Sequence, residues 1–307
     1  MPGWHVWCGS LVENPGGGFS LFYSCWPVSQ GHEGWVTHSQ IWRAEGPAPW
    51  GPFSGSQPVL VPDGNTTWDA DNFHNVTVKE FNGRYYLYYT GNNGNGDWWI
   101  HRNNQRIGLA VADSPSGPWS RSPAPLLDIS SSSWDSLCIA NPSVVQTPGG
   151  GFIMIYKGVT AGDLPYGSKV LHGMAFADRP DGPFRKHPEP IFQINGSRFA
   201  FEDPHIWCES GRFRCLMKDM AGLPGSCPRA TLLFESPDAI EWDTAQFQLV
   251  ATPHLETPEG RVERVDRLER PACFHYREGL CLSFAVKPLG EAASYLVFAP
   301  NFLPTRS

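Results

Sequence analysis

Short apolar runs of strand length recur along this chain, each bounded by glycine, proline or a small polar residue, and they recur in a fixed order. The first run of each set opens on a small or polar residue: CGSLV from Cys8, NVTV from Asn75, NPSVV from Asn141, DPHIW from Asp203 and RPACF from Arg270. Successive openings lie about 66 residues apart, a period that marks a repeat architecture. After a glycine-bearing turn comes a second β-branched or aromatic run: GGFSLFYS (17–24), GRYYLYYTG (83–91), GGFIMIYKG (150–158), GRFRCLMKD (211–219) and EGLCLSFAV (278–286). Each pair predicts a hairpin. A third run follows at 41–47, 106–115, 171–180, 230–237 and 294–300. Four sets then carry a closing aromatic segment, GPF (51–53), GPW (117–119), GPF (182–184) and IEW (240–242), expected as the fourth strand.

Four strands per set and five sets predict an all-β chain, a single five-bladed β-propeller over 1–307, in which each unit buries its faces against its neighbours. A double-sheet sandwich has no reason to repeat at this period. The first set begins almost at Met1 and the last has no closing run. The segment around Trp4 to Trp7 is therefore expected to supply that strand and close the ring.

Composition agrees and narrows the function. With 32 Gly and 29 Pro in 307 residues, turns must be frequent. The net charge is −7 and no Lys/Arg run occurs, so the basic footprint that holds nucleic acid is missing. No stretch approaches the ~20 apolar residues that span a bilayer, which argues against a membrane. The start, MPGWHVWCGS, lacks the basic and apolar segments of a secretory signal, so the sequence as written reads as cytoplasmic, or as secreted or periplasmic if a leader was removed. Eight cysteines without a CxxC pair give no zinc spacing and are expected as buried thiols rather than disulfides. No cofactor is required by any motif; the fold leaves room for a structural divalent cation such as calcium on its axis.

In a propeller the first strand of every blade lines the central channel. The residues opening those strands therefore converge: Trp7-Cys8, His74-Asn75, Ala140-Asn141, Glu202-Asp203 and Glu269-Arg270. Most are polar or charged, which an axis packed for structure alone does not need. The loops before two of them, TTWDADNFHN (66–75) and SSSWDSLCIAN (131–141), place Trp68/Asp69 and Trp134/Asp135 at matching positions. Each Asp either faces the site or caps its own turn, and each Trp either lines the site or packs between blades. Asp71 has no counterpart in other blades. Lys157 and the Lys218-Asp219 pair close second strands, and Arg106 opens a third strand within reach of the mouth. Carboxylates with His, Asn, Arg and aromatic rings suit a carbohydrate, since rings stack on sugar faces and glycosidic cleavage needs two positioned carboxyl groups.

The blade pattern resembles the five-bladed glycoside hydrolases of family 43 and relatives such as families 32, 68 and 117, over nearly the whole chain. FEDPHIW (201–207) is similar to the segment carrying the family's general acid, which implies Glu202 as acid with His205 beside it. IANPSVV (139–145) is similar to the segment that tunes the acid, with Asn141 where an Asp is expected, and CGSLV puts Cys8 at the base position. WCGS, NPS, EDP and ERP at the blade starts are also similar to bacterial proteins described only as glycoside hydrolase-like. The resemblance implies a hydrolase, exo-acting or acting on small oligosaccharides, with Glu202 as acid and a base drawn from Asp71, Asp69, Asp135 or Glu269. His74, Asn75, Asn141, Asp203, His205, Glu269, Arg270, Lys157 and Arg106 would contact substrate. A non-catalytic carbohydrate-binding propeller, or a lyase or transferase using the same pocket, are the alternatives.

Overall fold

The computed structural model describes residues 1–64, 67–256, 259–277 and 279–302; Thr66 and Glu278, the first residues of two segments above, lie outside them. Five antiparallel sheets follow one another in chain order and form a five-bladed β-propeller. Their innermost strands are Trp4–Glu13, Asn72–Phe81, Cys138–Gln146, Phe201–Glu209 and Val262–Tyr276. Each pairs with a second strand that returns beside it, as the hairpin signals predict.

The core lies between blades. Ile153, Ile155 and Met174 of blade 3 pack with Ile206, Phe213, Met217 and Phe234 of blade 4. Tyr88 and Leu109 of blade 2 pack with Val144, Met154 and Ala175 of blade 3. Each such side chain contributes roughly 1.5–3 kcal/mol on burial, so a blade is stable only beside its neighbours.

Two expectations are corrected. The Gly-Pro-aromatic segments are turns; the outermost strands come just after them, at Ser54–Leu60, Ser120–Arg121, Arg185–Lys186 and, after IEW, Gln248–Ala251. Proline offers no N–H to a ladder, and Gly51, Gly117 and Gly182 sit at positive φ, so the aromatic residue is turned inward to pack instead. The segment Trp4 to Trp7 does not close the last blade. It is the start of blade 1's own innermost strand, and blade 5 ends on the strand Tyr295–Phe302. The seam is joined by Val6 N–H donating to Ser294 O at 3.1 Å, by Leu296 and Phe298 packed against the blade 1 cluster of Leu21, Tyr23, Cys25 and Ala44, and by Phe298 meeting Phe53 at 5.5 Å between ring centroids.

All five innermost strands share one irregularity. Cys8, Asn75, Asn141, Asp203 and Arg270 have φ between 54° and 58°, and at each the strand places two residues against one of its partner. These are β-bulges in the left-handed region, which Asn and Asp tolerate and Cys or Arg enters at a cost of roughly 1–2 kcal/mol. The next residue in three of them is proline (Pro142, Pro204, Pro271), whose missing N–H suits a break in the ladder. The bulge separates adjacent side chains onto two levels of the axis.

Candidate functional site

On the lower level the five bulge residues bond to one another around the axis. Cys8 Sγ donates to Asn75 Oδ1 (3.2 Å), Asn75 Nδ2 donates to Asn141 Oδ1, Asn141 Nδ2 donates to Asp203 Oδ1 (3.2 Å), and Arg270 Nη1 and N donate to Asp203 at 2.9 and 3.1 Å. Cys8, Asn75, Asn141 and Asp203 are buried. Burial alone would raise the Asp203 carboxyl, but Arg270 and Lys218 outweigh it and hold the group below its ordinary value. Burial pushes the Cys8 thiol up to about 12, so it is a thiol and not a nucleophile at neutral pH. The axis thus carries its own cation, the Arg270 guanidinium. Among the described residues no cluster of three or more His, Cys, Asp or Glu has the arrangement to hold a metal ion.

On the upper level, blades 3 to 5 carry a run of alternating charge. Lys157 Nζ lies 3.2 Å from Glu202, and Lys218 Nζ lies 3.7 Å from Glu202 and in direct contact with Glu269. Arg267 continues the run, 3.9 Å from Glu269 and 3.0 Å from Glu33. One ammonium binds both glutamates, so their carboxyl groups are near neighbours. Burial raises the Glu269 carboxyl above its ordinary value, with Asp203 and Glu202 adding to the rise and Lys218 opposing it. Lys218, although buried, is raised because Glu269, Glu202 and Asp203 surround it. His172, directly across the sheet from Lys157, is lowered to about 3 by burial and by that lysine, and its Nε2 has no partner.

Blades 1 and 2 give the same level an aromatic, uncharged side. His74 Nδ1 shares a hydrogen bond with Ser39 Oγ at 2.8 Å, and its ring meets Trp26 and Trp35 at 5.6 and 5.2 Å. Trp7 and Trp26 both lie against His32, at 4.9 and 5.7 Å. Burial and the nearby cations hold His74 well below its ordinary value and His32 at about 3, so both are neutral.

The other sequence candidates, His205 aside, are taken up by contacts within their own blades and loops. Asp69 accepts from Tyr89 OH (2.5 Å) and Thr67 Oγ1 (3.0 Å) and pairs with Arg121 at 3.4 Å; Asp135 accepts from Tyr156 OH (3.0 Å) and pairs with Lys186 at 2.5 Å. Both are locked to second and outermost strands of their own blades, and no contact ties either to Glu202 among the described residues. Their tryptophans stack on the same tyrosines, Trp68 on Tyr89 and Trp134 on Tyr156. Room for this comes from glycine: a Cβ at Gly158 or Gly173 would stand 2.4 or 2.3 Å from Trp134. The shared Trp-Asp design is a lock within each blade. Asp71 accepts from Gly94 N–H at 2.8 Å and holds a loop. Arg106 is spent on Asp128 and on the carbonyls of Asn103, Gln105 and Leu137. His205 lies past the bulge, accepting from Cys273 N–H at 3.1 Å, and lines a groove of about 710 Å³ at the hairpin end of the axis. All eight cysteines are free.

Glu33, Arg267 and His172 were missed in the sequence. Aligning the ends of the second strands gives Ser24, Thr90, Lys157, Lys218 and Ala285, each directly opposite the residue before a bulge, which singles out the two lysines.

No family model and no curated protein matches the sequence. Solved structures do match in fold. A family 117 glycoside hydrolase from the marine bacterium Zobellia galactanivorans superposes with a TM-score of 0.69 at 17% identity, over 96% of this chain and 84% of that one. A family 43 enzyme from Xanthomonas citri complexed with xylose gives 0.66 at 14% identity, over 98% and 88%. An exo-1,5-alpha-L-arabinanase from a bovine ruminal metagenomic library gives 0.66 at 13%, over 96% and 92%. The chain is a propeller of the kind these hydrolases use.

Proposed function

We propose that the chain hydrolyses glycosidic bonds at the upper end of the axis, with Glu202 and Glu269 as its two carboxyl groups. The observation that carries this is the sharing of Lys218 by two glutamates from adjacent blades. Two carboxyl groups tied to one ammonium fit the close spacing, roughly 5 Å, of a retaining pair better than the roughly 6.5–9.5 Å that leaves room for a water. Glu269, whose proton is held to higher pH by burial, has the property a general acid needs, and Glu202 is then the nucleophile. This reverses the role that the blade resemblance implied for Glu202.

In the first step Glu202 attacks the anomeric carbon while Glu269 gives its proton to the leaving oxygen. In the second, Glu269 takes a proton from water as that water displaces Glu202, and the sugar leaves with its configuration retained. Lys157 and Lys218 hold Glu202. Asp69, Asp71 and Asp135 have no part in this chemistry. The fold shared with an exo-1,5-alpha-L-arabinanase and with an enzyme complexed with xylose makes arabinosides and xylosides the first substrates to try, in small oligosaccharides.

The test is turnover of aryl and natural glycosides by Glu202→Gln and Glu269→Gln. Glu269→Gln should lose far less on aryl substrates, whose leaving group needs no proton, than on natural ones; Glu202→Gln should lose activity on both. Full activity in Glu202→Gln overturns the assignment. A second reading, a carbohydrate-binding propeller without turnover, is favoured by the closed plug, where Cys8 and Asn141 stand in place of carboxylates. Saturable binding with no product across the panel would select it.

A further inference from the structure

The loops joining second to third strands rise from the same end of the axis as Glu202, and three of them carry a connected line of rings. Trp35 sits in the short 3-10 turn His32–Val36 of blade 1, Trp98 and Trp99 open the helix Trp98–Asn103 of blade 2, and Tyr166 lies in the blade 3 loop. From His74 at the mouth, successive ring centroids are 5.2 Å to Trp35, 5.9 Å to Trp98, 4.7 Å to Trp99 and 4.8 Å to Tyr166. None of these four rings is buried, and Tyr166 is 63% exposed.

The line is held in place. Trp35 Nε1 donates to Glu33 Oε2 (3.3 Å) and Trp98 Nε1 to Glu33 O (3.1 Å), and Glu33 is the residue that Arg267 ties to the charged side of the mouth. Asp97 caps the helix by accepting from Ile100 N–H, and Asn103 Nδ2 donates to Pro165 O at 3.0 Å, joining the helix to the Tyr166 loop. The alternating edge-to-face contacts leave each ring with surface for a further partner.

Partly exposed rings, two of them fixed by hydrogen bonds, beside a polar mouth are what a chain of sugars stacks on, because C–H faces cover the ring while hydroxyls stay in water. We propose that this ring line is an extended subsite for a neutral oligosaccharide whose terminal residue occupies the mouth, so that the chain prefers longer glycans to monosaccharide glycosides. The proposal rests on the hydrolase reading for which residue sits in the mouth, but not for the stacking itself. The Glu33 carboxylate held against Trp35 disfavours an acidic sugar on the line, and Arg102, 6.0 Å from the Trp99 ring centroid, donates to Asn103 Oδ1 at 2.8 Å.

The experiment measures binding of arabino- and xylo-oligosaccharides of increasing length to the full chain carrying Glu202→Gln, by calorimetry, with and without Tyr166→Ala or Trp99→Ala. Affinity should rise with length, and each ring removal should cut the affinity of the longest chains by roughly 5- to 10-fold, leaving disaccharide binding unchanged. In the otherwise native chain, Tyr166→Ala should raise KM for long substrates and leave kcat/KM for an aryl monoglycoside as it was. Affinity that does not grow with length on either series, or an equal loss for short and long ligands, overturns the proposal. Length-dependent binding without hydrolysis would sink the catalytic reading and leave the subsite standing.

Discussion

Glu202 and Asp203 are neighbours in sequence, as are Glu269 and Arg270, yet the members of each pair meet different fates. The bulge residues Asp203 and Arg270 face the plug, where every polar group has a partner and the charges cancel. The residues just before them face the mouth, where two glutamates compete for Lys218. A buried charge is tolerated when paired, and two carboxyl groups sharing one ammonium leave a perturbed site of the kind the proposed chemistry needs. The difference teaches that one left-handed residue per blade sorts a single polar sequence motif into a fully paired layer and a layer of shared charges.

The comparison breaks most visibly if mouth substitutions act like plug substitutions. Glu202→Gln and Glu269→Gln should each lower kcat/KM on natural glycosides by roughly 10²- to 10⁴-fold, while denaturant melts move by less than about 1 kcal/mol for the half-buried Glu202 and by about 1–3 kcal/mol for Glu269, whose loss leaves buried Lys218 with Glu202 alone at 3.7 Å. A melt that falls as far as activity would place the glutamates in the plug. Asp203→Ala should do the opposite, costing about 3–5 kcal/mol of stability because Arg270 stays buried without its carboxylate.

Acid sharpens the contrast. His172 is held near 3 against an ordinary 6.5, so the unfolded chain binds more protons below pH 6.5 and stability falls as pH drops through that value. At pH 5 this single group should cost about 2 kcal/mol, and His74 adds in the same direction. The lowered Asp203 stays ionised over that window, so the mouth should loosen before the plug, read as earlier amide exchange around 170–174 than around 141–144; the 203–206 segment is no reference, because burial also holds His205 well below its ordinary value. Smaller still, Asp135→Asn should cost about 1–2 kcal/mol with kcat/KM unchanged, because it weakens the Tyr156 and Lys186 lock and nothing at the mouth. Cys8→Ser should shift the melt by less than about 1 kcal/mol and leave activity intact.

The ring of blades was legible because glycine turns and alternating runs are local signals that repeat. The seam was not: whether a first strand begins one blade or ends another depends on which edge it meets, and Trp4–Glu13 reads the same either way. Glu202 was legible from its place before a blade opening, and Glu269 shares that place. Their union was not, since it depends on Lys218 reaching across two blades. Asp69 and Asp135 show the converse. A matched offset revealed a shared design, but only the partners Tyr89 and Tyr156 showed that the design serves packing.

The plug also has a direction. Hydrogens point from Cys8 through the Asn75 and Asn141 amides to the Asp203 acceptor, so each amide's orientation is dictated by the next. Replace Asn75 with Asp and two acceptors meet; turning Asn141 to answer it aims that carbonyl at Asp203 and moves the conflict one blade on. The axis therefore behaves as one inherited word rather than five letters. Substitutions there would be tolerated in matched sets, and a lone change would be silent only at Cys8, where the sequence of donors begins.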